Sequence, residues 1–400
     1  MELFGSDNQS EVQLDTVLPD IVKIMDVQQE QLARSLGEGH RVIHGVAGSG
    51  KTLILGYRCL YLAKTMGKPI LVLCFNVTLA AKLRSFISSK GIDSQVQVYH
   101  FHDWCTQQIK TYHVDLIESN KPYYVRTVET VINAVEEGLI PRAQYGALLI
   151  DEGHDFDAEW LKLVVQMTDP ESQSLLLLYD DAQSIYKGGT GLGFNLSSVG
   201  VQAKGRTTIL KLNYRNTREI LDFAYAFARQ YFDPHDADDD HIPLIEPEAA
   251  GMNGPDPAIR SFASLQEEIN YAIECLAKWN KQGVQWADMA ILYPTINVGK
   301  MIVNQLSTSN LPYAWLKDKQ NKTAYNKESD CLTVLTIHSS KGLEFTRVII
   351  VGVGVGHLKD DEKRRQQNAR LLYVGMTRAQ ECLLVTTSGS NDYSKRILTI

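Results

Sequence analysis

Residues 45 to 52 read Gly45-Val46-Ala47-Gly48-Ser49-Gly50-Lys51-Thr52, a G-x-x-x-x-G-K-T run set between the apolar pair Val42-Ile43 and a helical pattern from Leu53 to Lys64. Glycines at this spacing let backbone N–H groups turn inward around a phosphate, and the helix N-terminus adds its dipole. An ammonium at position 51 then reaches the β/γ-phosphates, and a hydroxyl at 52 ligates Mg²⁺. Strand, loop and helix come in the order this chemistry needs. The run therefore predicts a phosphate cradle built from Gly45, Ala47, Gly48, Ser49, Gly50, Lys51 and Thr52. Two consecutive carboxylates, Asp151 and Glu152, end the apolar run Ala147-Leu148-Leu149-Ile150. Beside such a cradle Asp151 holds Mg²⁺ and Glu152 takes a proton from an attacking water. The plainer alternative is an acidic start to the next helix.

Other polar residues stand at the ends of apolar runs. Gln183, within Asp180 to Tyr186, is suited to hydrogen-bond a γ-phosphate and to register its loss. Arg215 and Arg378 are candidates for stabilising charge on a transferring phosphoryl group from across a cleft. The carboxamide of Gln29 can donate to and accept from an adenine edge at once, although a solvated helix residue reads the same way. Asn76 follows the run Ile70 to Phe75, and His100 and His102 follow Val96 to Tyr99. Ligands of open α/β sheets bind at the carboxyl ends of strands; a polar turn is the plainer reading of the histidines.

The elements that must position these groups are legible as uninterrupted apolar runs at 70–75, 147–150, 174–179, 289–293, 332–337 and 348–351. Such runs suit strands buried on both faces of a parallel sheet, and helical patterns alternate with them. The fold expected is α/β, with parallel sheets flanked by helices. Four hundred residues exceed one compact core,. We expect a polar lead-in at 1–22, a first domain at 23–207 with a small helical insertion near 106–144, and a second at 208–400. Within the second, 233–257 reads as an exposed acidic and proline-rich connection.

An apolar content of 44% with 22% charged residues is ordinary for a globular chain, and the net charge of −7 argues against a broadly basic coat for nucleic acid,. A local basic channel remains compatible with it. Six cysteines show no C-x-x-C spacing, which favours reduced thiols over a zinc site or a disulfide frame,. No secretion signal and no run of about 18 apolar residues is present, so the expected place is the cytoplasm, with no membrane partner.

Taken in order, Gln29, GVAGSGKT at 45–52, HFH at 100–102, DEGHDF at 151–156, DDAQSIY at 180–186, NYR at 213–215, TIHSSKGLEF at 336–345 and LLYVGMTRA at 371–379 resemble the UvrD/Rep branch of superfamily 1 helicases. The resemblance implies two RecA-like domains that bind ATP and Mg²⁺ between them. It implies Gln29 and Tyr214 at the adenine, Gly342 and Glu344 near the ribose, and Arg215 and Arg378 at the γ-phosphate. It implies single-stranded or tailed duplex DNA as partner, with 3′ to 5′ movement, and contacts from Phe75, Asn76, His100, His102, Tyr186 and His338. Residues 37–52 and 243–315 are also similar to the helicase half of proteins with a nuclease-related (NERD) domain, without a match to their nuclease half.

Two departures qualify what the resemblance implies. Gly188 stands where the family has a tryptophan that stacks on bases, a contact worth roughly 1–3 kcal/mol per base,. The accessory insertions are also reduced. Strand separation is thus less secure than ATP hydrolysis, and the alternative is an ATP-gated DNA-binding or regulatory subunit that recruits a separate nuclease. These residues do not separate RNA from DNA as the track.

Overall fold

The computed structural model describes residues 18–180, 194–231, 248–325, 329–355 and 362–400. The chain opens with α1 (Leu18–Ser35), β1 (His40–Gly45), α2 (Lys51–Leu62), β2 (Ile70–Cys74), α3 (Val77–Ser89), β3 (Val96–His100), α4 (Phe101–Tyr112), α5 (Tyr123–Glu136), β4 (Ala147–Asp151), α6 (Ala158–Val165), β5 (Ser174–Tyr179) and β6 (Thr207–Leu210). These six strands form one sheet in the order β3-β2-β4-β5-β1-β6, and every pairing is parallel.

The apolar runs are continuous because both faces of this sheet are covered. Leu71 and Leu73 of β2, Leu148 and Ile150 of β4, and Leu175 and Leu177 of β5 join one core, with Trp104 of α4, Val131 of α5 and Leu161 of α6. Their neighbours Ile70, Val72, Leu149, Leu176 and Leu178 point the other way, against Ala33 of α1, Ile54 and Cys59 of α2 and Leu79 and Leu83 of α3. A period of two along each strand thus fills two cores at once.

The rest of the chain repeats the plan with β7 (Leu212–Asn213), α7 (Arg218–Ala228), β8 (Glu248–Ala249), β9 (Ala258–Ser261), α8 (Leu265–Lys281), β10 (Met289–Tyr293), α9 (Ile296–Ser309), β11 (Tyr313–Trp315), α10 (Lys319–Thr323), β12 (Leu332–Thr336), β13 (Phe345–Ile350), α11 (Glu362–Met376), β14 (Ala379–Thr387) and α12 (Asp392–Ile397). A second six-stranded sheet runs β11-β12-β10-β13-β14-β9, again with parallel pairings throughout. Helices α7, α11 and α12 cover one face and α8 and α9 the other.

Two boundaries differ from the sequence reading. Thr207–Leu210 is the edge strand of the first sheet, paired with β1, so the chain leaves that sheet after Leu210 and a division at 208 would cut a strand. The stretch 106–144 is no separate insertion either. Its helix α5 supplies Val128, Val131, Ala134 and Val135 to the first core, and α4, which runs into it, begins at Phe101 directly on the end of β3. The acidic stretch at 233–257 falls largely on 232–247, outside the described residues. Among the described residues no helix is long and apolar enough to cross a membrane.

Near the end of β14 the chain passes within backbone contact of another loop. A Cβ built on Gly389 would lie 2.2 Å from the carbonyl oxygen of Gly354. Backbone cannot swing aside as a side chain can, so Gly389→Ala is expected to destabilise the chain by about 1–3 kcal/mol. The measurement is the midpoint of urea unfolding at unchanged slope.

Candidate functional site

The carboxyl ends of β1, β4 and β5 deliver the chemistry. Gly48 and Gly50 take φ of 68° and 84°, a left-handed conformation that glycine adopts without strain,. Gly50 is also the residue before α2, so the cradle ends where the helix dipole begins,. A Cβ on Gly50 would meet the Tyr214 hydroxyl at 2.4 Å and Gln29 at 3.1 Å. Only glycine fits there.

Lys51 is 8% exposed. Its Nζ donates to the carbonyls of Gly45 at 2.5 Å and Val46 at 2.8 Å and lies 3.4 Å from Asp180 Oδ2. The Thr52 hydroxyl donates to Asp151 Oδ2 at 2.8 Å, which brings together the two groups expected to hold Mg²⁺. Burial first, and the neighbouring Glu152 carboxylate second, push the Asp151 carboxyl up to about 6,. A cation at that point would relieve both effects. Among the described residues no group of three or more His, Cys, Asp or Glu could hold a metal. Mg²⁺, which keeps several waters and phosphate oxygens as ligands, fits a hydroxyl and one carboxylate.

Across the cradle stand residues of the second part of the chain. One cleft is lined by Ala47 to Leu53, Lys82 and Glu152 on one side and by Arg215, Gly342, Glu344 and Arg378 on the other. Arg378 is buried, and its guanidinium donates to the carbonyls of Val374 and Leu343 at 3.0 and 3.2 Å. Arg215 pairs with Glu344 at 2.6 Å and with Asp26 of α1 at 3.4 Å. Glu344 keeps 22% of its side-chain surface exposed. Burial alone would raise its carboxyl, but Arg215, then Lys82 and Arg378, hold it down to about 2. Gln29 is buried, and its Oε1 has no hydrogen-bond partner, which leaves an acceptor for an adenine amino group,. Tyr214 is fully buried, its hydroxyl on Asp26 at 3.0 Å and the Arg215 guanidinium over its ring at 5.3 Å.

Several groups in this cleft escaped the sequence reading. Lys341, 2% exposed, extends from the second sheet into the first. Its Nζ lies 2.7 and 2.8 Å from the two oxygens of Asp155, 2.6 Å from His154 Nε2 and 3.9 Å from Glu152. His154 in turn stands 3.2 Å from Glu152 and accepts the backbone N–H of Asp180 at 3.1 Å. Asn213 donates to the carbonyl of Ala47 at 2.9 Å and to the Asn216 side chain at 2.6 Å, and Asn216 donates to the carbonyls of Thr377 at 3.0 Å and of Ala379. His154, Asp155, Asn213 and Lys341 stand in the runs DEGHDF, NYR and TIHSSKGLEF, but their pairing across the cleft gave no signal.

The expected nucleic-acid residues separate. Phe75, His100 and His102 sit together, with ring centroids 5.3 to 5.9 Å apart. Asn76 instead caps α3, its carboxamide oxygen accepting the N–H groups of Thr78 at 2.8 Å and Leu79 at 3.2 Å. His338 lies at the end of β12, and burial holds its imidazole down to about 4. Gln183 and Tyr186 lie outside the described residues.

The Arg215–Glu344 pair carries a pH signature. A carboxyl depressed in the folded state adds stability above its ordinary value of 4.5 and loses it as pH falls toward about 2,. Glu344→Gln should therefore be less stable than the unaltered chain at neutral pH. The gap is expected to close as urea unfolding is repeated through that window.

A model of the UvrD-like helicase C-terminal domain matches residues 208–322 and 314–390, and one described as an AAA domain matches 28–189. The ATP-dependent DNA helicase Rep of Salmonella typhimurium is 40% identical over 75 residues, 18% of this chain and 11% of that protein. The ATP-dependent DNA helicase PcrA of Staphylococcus epidermidis is 22% identical over 318 residues, 73% of this chain and 41% of that one. The mitochondrial ATP-dependent DNA helicase HMI1 of Saccharomyces cerevisiae is 25% identical over 258 residues, 55% and 35% of the two chains. In each case the match spans less than half of the relative's length. On two parallel sheets that face across a phosphate cradle, the chain thus carries a UvrD-like helicase C-terminal domain over residues 208–390, preceded by an AAA domain over 28–189.

Proposed function

We propose that this chain hydrolyses ATP in the cleft between two RecA-like layers and couples the cycle to 3′ to 5′ movement on single-stranded DNA, including the tail of a duplex. The observation that carries the reading is the cleft itself, where Lys51, Thr52 and Glu152 of one layer face Arg215 and Arg378 of the other. Relatives bearing the name ATP-dependent DNA helicase support it.

The residues divide the work by position. The backbone at Gly48 to Gly50 and the Lys51 ammonium bind and orient the β/γ-phosphates. Thr52 and Asp151 would hold Mg²⁺, which would neutralise charge on those oxygens. Glu152 accepts the proton of the attacking water, and His154 Nε2 lies 3.2 Å from its carboxylate,. Arg378 stabilises charge on the transferring phosphoryl group, and Arg215 does so once its guanidinium exchanges Glu344 for a phosphate oxygen. Because the arginines come from the opposite layer, the charge they meet changes when the γ-phosphate leaves, and cleft closure follows the state of the nucleotide. Phe75, His100, His102 and His338 lie at strand ends beside the cleft, where that movement is passed to a strand.

Steady-state ATP turnover with single-stranded DNA, duplex DNA and RNA tests the reading, together with displacement of a strand from a 3′-tailed duplex. Single strands should stimulate turnover. Lys51→Ala should abolish it, and Arg378→Ala should lower kcat by roughly 10³-fold or more while nucleotide still binds. Unchanged turnover in Arg378→Ala would remove the cleft from the mechanism.

A further inference from the structure

At the carboxyl edge of the first sheet the aromatic row is longer than its motif residues. Phe75 stacks on Trp160 of α6 at 5.8 Å, and Trp160 stacks on Phe101 at 4.9 Å. His100 stacks on His102 at 5.3 Å, and His102 meets the ring of Tyr124 edge-on at 5.6 Å. Tyr124 reaches that place because α4 runs away from the edge and residues 113–122 bring the chain back. Helix α5 then starts beside His102 with Tyr123 and Tyr124 in its first turn.

These two tyrosines contribute little to the core. They are 61% and 54% exposed, and among the described residues Tyr61 on α2, at 42%, is the one other aromatic ring so open. Adjacent helical positions point about 100° apart, and of the two it is Tyr124 that touches the row. Burial holds both His100 and His102 below the usual imidazole range, so the row consists of neutral rings near neutral pH. Neutral rings in sequence at the strand ends of an α/β sheet suit the π-faces of bases better than phosphates. From the second sheet Lys319 of α10 pairs with Asp103, and Lys317 stands over the Trp315 ring at 4.9 Å. Lys319 thus brings a cation for the backbone of a strand to the histidine end of the row.

We propose that Tyr124 is a base-stacking residue that extends the row Phe75, His100 and His102 by one unpaired base of a single strand. This deepens the nucleic-acid part of the function proposed above and rests on it. It also supplies a stacking group in a chain that carries Gly188 where the family has a tryptophan.

The test is anisotropy of labelled oligothymidine and of an abasic strand of equal length, titrated with the full chain. Tyr124→Ala should weaken oligothymidine binding by about 5- to 150-fold, the range expected for one stacked base, and should leave the abasic strand unaffected. Tyr124→Phe should bind like the unaltered chain, because the ring and not the hydroxyl does the stacking, and Tyr61→Ala should also bind normally. Equal binding of oligothymidine by Tyr124→Ala, or an equal loss on both strands, overturns the assignment alone. Failure of the unaltered chain to bind either strand overturns it together with the nucleic-acid reading beneath it.

Discussion

The ammonium of Lys341 lies almost wholly out of water, and the carboxylate nearest it belongs to the other sheet. A buried charge without a partner costs far more than a fold of this size has to spare. Lys341 and Asp155 must therefore stay together, and each is fixed at the carboxyl end of a strand. The two sheets are obliged to present those ends to each other, and the space left between them is the cleft. Arg215 repeats the constraint a short way off through Asp26 of α1 at 3.4 Å, and the donation of Lys82 to the carbonyl of Gly342 at 3.2 Å adds a neutral acceptor.

Parallel pairing does the rest of the positioning. All six strands of a parallel sheet end on one edge, so the phosphate cradle after β1, the carboxylates after β4 and the aromatic groups after β2 and β3 are neighbours without being close in sequence. Under the function proposed above, the same edge takes a nucleotide at the ends of β1 and β4 and a strand of nucleic acid toward β3. Asp103, three residues beyond His100 at the end of β3, and Lys319 of α10 meet at this outer end.

Much of this was legible in the sequence, for physical reasons that differ from residue to residue. The strands showed themselves because burial on both faces removes the polar alternation that would mark a half-exposed strand, as Leu71 and Val72 facing opposite cores illustrate. Lys51 and Thr52 showed themselves because the cradle is local, its spacing set by one turn and one helix start, and Asp151 and Glu152 because they end a run that is otherwise apolar. The partners of Lys341, 186 and 187 residues away, could not be read from spacing, since nothing local to DEGHDF names what will sit on it. Asn76 was read as a strand-end contact, and its oxygen caps a helix, because a side chain suited to one backbone N–H is suited to any. The edge strand β6 was assigned to the wrong half because Thr207–Leu210 is short and only partly buried, so its apolar residues do not say which sheet they join.

Among the described residues, every strand from 40 to 210 lies in the first sheet and every strand from 258 to 387 in the second, with Asn213 and Asn216 at the passage between. That passage is held by uncharged amides, from the carbonyl of Ala47 at one end to those of Thr377 and Ala379 at the other. Dissolved electrolyte weakens attraction between ions, most of all at an exposed rim such as Lys319–Asp103, and leaves amide pairs nearly untouched. Raising ionic strength thus loosens the outer end of the interface first and spares the joint. The joint at 213 and 216 thus holds by hydrogen bonds that salt does not screen, beside an Arg215 whose own ion pairs are mostly buried.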